Sequence, residues 1–289
     1  LRESTLQAAR FVGREEPMAQ LRQALDAARG GAGAVWLLGG ESGVGKSRLM
    51  EELRVYALVQ GVLSARGQAV SEGDGAYGVW REILRTLCLY TPLGELEASV
   101  LKSILPDLSV LLERPIADAP PLHPQAAQLR VQGVIESLIL RQQGPLLLLL
   151  EDLHWADGDS LALLRRLSVS CRNRPTLIVA NYRNDERPDL PQALPNASVL
   201  ALARLSSASI EALCQSMLGA HGFTPELVAF LQAETEGNTF FIVEVMRALA
   251  EEAGGLSRVA AHRLPKSVLT GGIQAIVGRR IARLPAEGR

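Results

Sequence analysis

The chain has 289 residues, 47% hydrophobic and 21% charged, with a formal net charge of −1 and a pI of about 6.5. That length and apolar content support one large globular domain plus a smaller one, and the near-neutral balance gives no reason to expect non-specific nucleic-acid binding, a local basic patch apart. No stretch holds the about 18 uninterrupted apolar residues of a membrane span, residues 1–10 lack a signal peptide's apolar core, and Cys88, Cys171 and Cys214 are too few and scattered for a disulfide framework or zinc site.

A reducing cytoplasm fits these features. Phe11-Val12-Gly13-Arg14-Glu15-Glu16 precedes a stretch in which Met18, Leu21, Leu25 and Ala28 recur at helical spacing, and Gly30-Gly31 stops that helix. Ala34-Val35-Trp36-Leu37-Leu38 is a buried strand. It runs into Gly39-Gly40-Glu41-Ser42-Gly43-Val44-Gly45-Lys46-Ser47, and Arg48-Leu49-Met50-Glu51-Glu52-Leu53 continues as a helix. From Gly40 to Ser47 the spelling is G-x-x-x-x-G-K-S. Glycines in such a loop let backbone N–H groups approach phosphate at a helix N-terminus, with Lys46 reaching the β- and γ-phosphates and Ser47 the Mg²⁺. Only Lys46, Lys102 and Lys266 are lysines among 30 basic side chains, so a lysine in this loop is the less accidental.

The helix after the loop runs to Gly61, and Val62 to Arg66 is a short strand, completing a βαβ unit. From Tyr77 to Leu112 the pattern is helical, with Trp80, Ile83, Leu84 and Leu87 on one face and breaks at Pro106 and Pro115. Tyr77, Trp80 and Tyr90 read as core or helix-interface packing. Residues 117–124 form a proline-rich surface loop, and a helix follows from about Gln125 to Gln143.

Leu146 to Leu150 is five leucines in a row, the mark of a parallel strand covered on both faces, and Glu151-Asp152 closes it. Ligands of open α/β sheets bind at that carboxyl edge, so these acids are placed to meet a phosphate-bound metal and a water. His154 beside Trp155 reads as packing rather than catalysis, and Asp157 or Asp159 caps the helix through Leu161, Leu164 and Leu167. Thr176 to Ala180 and Ser198 to Leu202 are further strands. The alternation means an α/β fold with a three-layer parallel sheet. Beyond Leu205 only helices are expected: one from Ser206, one from Thr224-Pro225, and one capped by Asn238. A last helix is expected from about Ile273 to Leu284. The chain opens without Met and closes on Pro285 to Arg289 with no closing element, so a piece of something longer is expected.

Five segments taken together, Phe11 to Glu15, Gly40 to Ser47, Glu151-Asp152-Leu153-His154-Trp155-Ala156-Asp157, Asn181-Tyr182-Arg183 and Glu236-Gly237-Asn238-Thr239-Phe240-Phe241, resemble the AAA-like ATPase module of STAND signalling proteins, the Orc1-like P-loop type. The resemblance spans nearly the whole chain, and the overall wording is similar to the serine/threonine-kinase-fused group of bacterial regulators. It implies a P-loop NTPase sheet domain over residues 1–204, a helical lid over 205–262, and the start of a winged-helix-like element over 263–289. It implies ATP or ADP with Mg²⁺ as cofactors, and Val12, Gly13 and Arg14 lining the adenine pocket. Gly40, Glu41, Ser42, Gly43, Val44, Gly45, Lys46, Ser47 and Arg48 would hold phosphate, and Ser47, Glu151 and Asp152 the metal. Asp152 would orient or deprotonate water, with Glu151, Lys46 and Arg183 completing the catalytic set and Arg183 sensing the γ-phosphate. Fused sensor and effector domains and a nucleotide-dependent homo-oligomer are the implied partners, with no membrane and no direct nucleic-acid contact. Three residues depart from the family: Glu151 stands where Asp is usual, Asn181 where Thr or Ser is usual, and Thr239 where Pro is usual. A scaffold with negligible turnover, a small-molecule kinase and a DNA-remodelling ATPase are the competing readings.

Overall fold

In the computed structural model, residues 11–71, 75–218 and 223–253 are described. The helix expected from Ile273 to Leu284 and the whole 263–289 element lie outside them. The chain divides into two compact units: Met18–Glu41 with Lys46–Ala201, and Leu1–Pro17 with Ser42–Gly45 and Leu202–Arg289.

The first unit is built on a parallel sheet. Its strands are β1 (Ala34–Gly39), β2 (Leu63–Gln68), β3 (Leu146–Glu151), β4 (Thr176–Tyr182) and β5 (Ser198–Ala201), in the spatial order β2-β3-β4-β1-β5. All pairings are parallel. Because β3 and β4 are buried along their full length, both faces of the sheet centre are covered, which is why Leu146 to Leu150 shows no alternation. Each such leucine contributes about 1.5–3 kcal/mol of burial. The strand order places β4, which Arg183 follows, between the acidic strand and the strand that feeds the glycine loop.

Helices α1 (Glu15–Arg29) and α2 (Lys46–Val59) flank β1 in sequence. In α1, Met18, Leu21, Leu25 and Ala28 are buried, with Glu15 and Glu16 in the first turn and Arg29 in the last, each sign suited to the helix dipole. The Tyr77–Leu112 stretch resolves into a 3₁₀ turn (Gly78–Trp80), α3 (Arg81–Tyr90), α4 (Glu95–Lys102) and α5 (Leu108–Leu111). Tyr77 and Trp80 are buried as expected. Tyr90 is not: it is 66% exposed, because it ends α3 after Leu87 and Cys88 have made the helix's last core contacts. Helix α6 (Pro124–Leu140) precedes β3, α7 (Gly158–Ser170) follows it, and the short α8 (Leu190–Ala193) precedes β5. Of the two candidate caps of α7, Asp157 does the work, its carboxylate accepting from Ser160 N–H at 2.8 Å.

The second unit carries α9 (Ser207–Leu218), α10 (Pro225–Thr235) and α11 (Thr239–Ala253) around Ile210, Leu213, Leu227, Leu231, Ile242, Val245 and Met246. Thr224 caps α10, with Pro225 in its first turn. The turn into α11 needs Gly237: its φ is +83° and a Cβ there would lie 2.2 Å from the Leu205 carbonyl oxygen.

Candidate functional site: the glycine loop and the carboxyl edge of the sheet

The glycine loop leaves β1 at Gly39 and enters α2 at Lys46. Gly43 and Gly45 have φ of +79° and +100°. At Gly45 a Cβ would meet no atom within 4 Å, so backbone conformation alone explains the glycine; at Gly43 a Cβ would also fall 2.6 Å from Asn238 Oδ1. Three successive carbonyls of the loop's apex are occupied. Asn238 Nδ2 donates to Ser42 O at 2.9 Å, Phe240 N–H to Gly43 O at 2.9 Å, and Arg14 Nη2 to Val44 O at 2.9 Å, with the Thr239 hydroxyl on Val44 O as well at 3.3 Å. Asn238 Oδ1 accepts from Phe240 N–H at 3.1 Å, so one buried amide both caps α11 and holds the apex. Arg14 is likewise buried, and burial, opposed by Glu15, lowers its pKa. Gly13, at φ +70°, donates its N–H to Glu15 Oε1, and Val12 is half-buried.

At the loop's other end Lys46 Nζ turns back onto the carbonyls of Gly40 and Glu41, each at 2.7 Å. Lys46 is buried, and burial pushes its pKa below the ordinary value. The Arg183 cation pushes the same way, while Asp152, Asp185 and Glu186 oppose it. The ammonium therefore sits in the field of both Asp152 and Arg183, two of the residues singled out from sequence. Ser47 is exposed in the first turn of α2, and Arg48 is paired along that helix with Glu52 at 2.5 Å.

The two acids differ sharply. Glu151 ends β3 in register with Gln68 of β2, is buried, and bonds Arg66 at 2.5 Å. Asp152 leaves the strand in the left-handed region (φ 55°, ψ 43°), which few side chains adopt without a local hydrogen bond. Here the bond exists: Asp152 N–H donates to Asn181 Oδ1 at 3.0 Å, and Asn181, itself buried at the end of β4, donates to Met50 Sδ at 3.1 Å. Asn181, where the resemblance led one to expect Thr or Ser, thus fixes the backbone of the second acid. The Asp152 carboxylate accepts from Gln68 Nε2 at 2.8 Å.

Arg183 follows β4, its guanidinium bonded to Glu186 and lying 5.5 Å from the centre of the Trp155 ring. His154 is buried against Trp155, with ring centroids 4.6 Å apart, as the packing reading expects. Burial lowers its pKa, opposed chiefly by Glu186. Arg66, Gln68 and Glu186 are neighbours of the candidate site residues that sequence reasoning missed, holding Glu151, Asp152 and Arg183 in turn, and Asn238 was read only as a cap. Arg66 and Gln68 lie at the end of a strand beside the acidic one, a polar ending that a strand drawn only to Arg66 cut short.

Among the described residues, no group of three or more His, Cys, Asp or Glu side chains could hold a metal ion by itself. A magnesium ion arriving with phosphates asks for less, one or two carboxylates and a hydroxyl beside phosphate oxygens and water, and Ser47, Asp152 and Glu151 meet that demand in kind. Among the described residues no helix is long and apolar enough to cross a membrane.

Solved structures share this fold at low identity. Cdc6p from Pyrobaculum aerophilum is 12% identical with a TM-score of 0.56, over 89% of this chain and 68% of that one. The Aeropyrum pernix Orc1 protein, solved in complex with DNA, is 13% identical with a TM-score of 0.55, over 99% and 72%. The Thermotoga maritima RuvB Holliday junction branch migration motor is 13% identical with a TM-score of 0.50, over 92% and 73%. At such identities the likeness speaks for the fold. No curated protein matches the chain in sequence. Residues 206–253 match a domain of unknown function, DUF8739. Residues 10–179, carrying the glycine loop, the acidic strand and most of β4, match the AAA ATPase domain, and the chain belongs to that family.

Proposed function

We propose that this AAA ATPase-type nucleotide-binding domain is an ATP-binding, slowly hydrolysing switch of a larger regulatory protein. In this reading residues 1–204 bind adenine nucleotide and the helices that follow, within 205–262, act as a lid. Fused sensor and effector domains, of kinase, cyclase or transcription-regulator type, receive the output, and nucleotide-dependent self-association is a further consequence of the class. The observation that carries the reading is the glycine loop itself, with φ of +79° and +100° at Gly43 and Gly45 and the buried Lys46 ammonium held at 2.7 Å on the carbonyls of Gly40 and Glu41.

The division of labour follows from the environments. Lys46 supplies positive charge to the β- and γ-phosphates, after exchanging its bonds to Gly40 O and Glu41 O for phosphate oxygens. Asp152, half-buried and with its carboxylate accepting from the neutral Gln68 amide, is the group suited to accept a proton from, or orient, an attacking water. Glu151 holds Arg66 and is therefore suited to a water-mediated role toward the metal. Bound Mg²⁺ would supply charge neutralisation at the β- and γ-oxygens, held by Ser47 and the acids. Arg183 would read the third phosphate.

A second reading, an interaction module with negligible turnover, is favoured by one feature: Asp152 and Arg183 both hold protein partners, Gln68 and Glu186, that hydrolysis would have to displace. Calorimetric titration with ATP and ADP, with and without Mg²⁺, followed by single-turnover hydrolysis, tests the proposal. Magnesium-dependent binding with measurable hydrolysis is expected; binding without hydrolysis supports the second reading, and no binding of either nucleotide overturns both. Solution scattering should differ between ATP-analogue and ADP states, since a ligand shifts a domain equilibrium by its differential affinity. Identical profiles with binding confirmed would count against a switch.

A further inference from the structure

Immediately after β4 the chain makes a single turn, closed by Arg187 N–H on Arg183 O at 3.0 Å. That turn sets Arg183 and Glu186 side by side at i and i+3. The Glu186 carboxylate has two claimants. Oε1 accepts from the Arg183 guanidinium, while Oε2 lies 3.6 Å from His154 Nε2. His154 has a side chain only 1% exposed, and among the described residues neither of its ring nitrogens has a hydrogen-bond partner. A buried polar ring left without a partner is costly, and the carboxylate that lies 3.6 Å from it holds Arg183 through its other oxygen. Arg187 Nη1 meanwhile reaches the carbonyls of His154 and Ala156 at 3.4 and 3.3 Å, linking this turn to the turn after β3.

We propose that Glu186 is a positioning residue for Arg183: it parks the guanidinium in the absence of a third phosphate and, when that phosphate claims Arg183, moves to the buried His154 ring. The physical basis is competition for one carboxylate. An i, i+3 ion pair that is 30% and 39% exposed at its two side chains is weak enough to be displaced. The orphaned imidazole supplies a second resting place only 3.6 Å from the carboxylate, so release of Arg183 does not leave Glu186 without a partner. A nucleotide lacking the third phosphate offers Arg183 no competing acceptor and leaves the pair in place. The turn thus discriminates between nucleotides by the fate of one counter-ion, and parking lowers apparent ATP affinity by the fraction of molecules in which Arg183 is held.

This inference rests on the ATP reading above, and the experiment separates the two. Glu186→Ala should tighten ATP-analogue binding about two- to fivefold, the scale of a half-exposed ion pair, and leave ADP affinity unchanged. The gain should vanish in an Arg183→Ala background, since Glu186 acts through Arg183. His154→Phe should weaken ATP-analogue binding in the presence of Glu186 and have no effect once Glu186 is Ala. Calorimetric affinities for the analogue and for ADP across wild type, the single variants and the two double variants give every arm. Weaker ATP-analogue binding by Glu186→Ala, an equal change toward ADP, or a gain that persists without Arg183 would overturn the proposal while leaving the nucleotide site standing. Failure of the wild type to bind either nucleotide would overturn the nucleotide reading itself.

Discussion

The apex of the glycine loop and the carboxyl edge of the sheet are both rich in polar contacts, yet the contacts are of opposite kinds. At the apex, donors from Arg14, Asn238 and Phe240 occupy carbonyl oxygens of Ser42, Gly43 and Val44. Each of these bonds ends on a backbone carbonyl of the loop, so together they fix its shape. At the edge, the contacts join the very charges a nucleotide or metal would seek: Arg66 with Glu151, Gln68 with Asp152, Glu186 with Arg183. In the proposed reading those bonds would be exchanged, which makes one region scaffold and the other a set of partners to be replaced.

That contrast breaks most visibly at Asp152. Asp152→Asn keeps the Gln68 contact and the backbone geometry but removes the base, so single-turnover hydrolysis should slow by about 10²-fold or more with ATP affinity retained; Glu151→Gln should instead weaken the magnesium dependence. An Asp152→Asn protein hydrolysing at the wild-type rate would mean the base lies elsewhere. Lys46→Ala comes next. Loss of one charge-assisted bond to phosphate should weaken ATP binding by about 10- to 100-fold in calorimetry, and equal affinity would sink the phosphate-loop assignment.

At the apex the effect should appear first in stability. Asn238→Ala removes the bond to Ser42 O and the cap on Phe240 N–H from a buried position, and should cost about 1–3 kcal/mol in denaturant unfolding. Asn238→Asp, which keeps the cap and loses the donor, should recover part of that loss; if neither variant changes stability, the apex is not held as described.

The smallest effect concerns the cysteines. Burial pushes the thiols of Cys88 and Cys214 up to about 11, and burial with the nearby Glu136 carboxylate pushes Cys171 up to about 12. A raised folded-state value means the neutral thiols favour the folded chain below the ordinary value of 9.0, and that contribution is lost as pH rises toward 11. Iodoacetamide at pH 8 should therefore label the native protein at least about tenfold more slowly than the urea-unfolded chain, read by mass spectrometry.

Much of the sheet unit is legible in the sequence because its signals are local. Five leucines closed by two acids, a glycine run between an apolar pentamer and a helix, and Asp157 before α7 each need only a few neighbouring residues. The pairings that govern the site are not local. Gln68 meets Asp152 across 84 residues because β2 and β3 share a register, and Asn238 meets Ser42 across 196. No periodicity carries that information. Tyr90 was misread for a related reason: helical spacing gives the face but not where the helix runs out of core to cover.

The left-handed backbone at Asp152 has an evolutionary corollary. Only Gly, Asn and Asp enter that region readily, so drift at this position has few open doors. A step to Asn is conformationally silent and, in the proposed reading, would yield a domain that holds nucleotide without cleaving it.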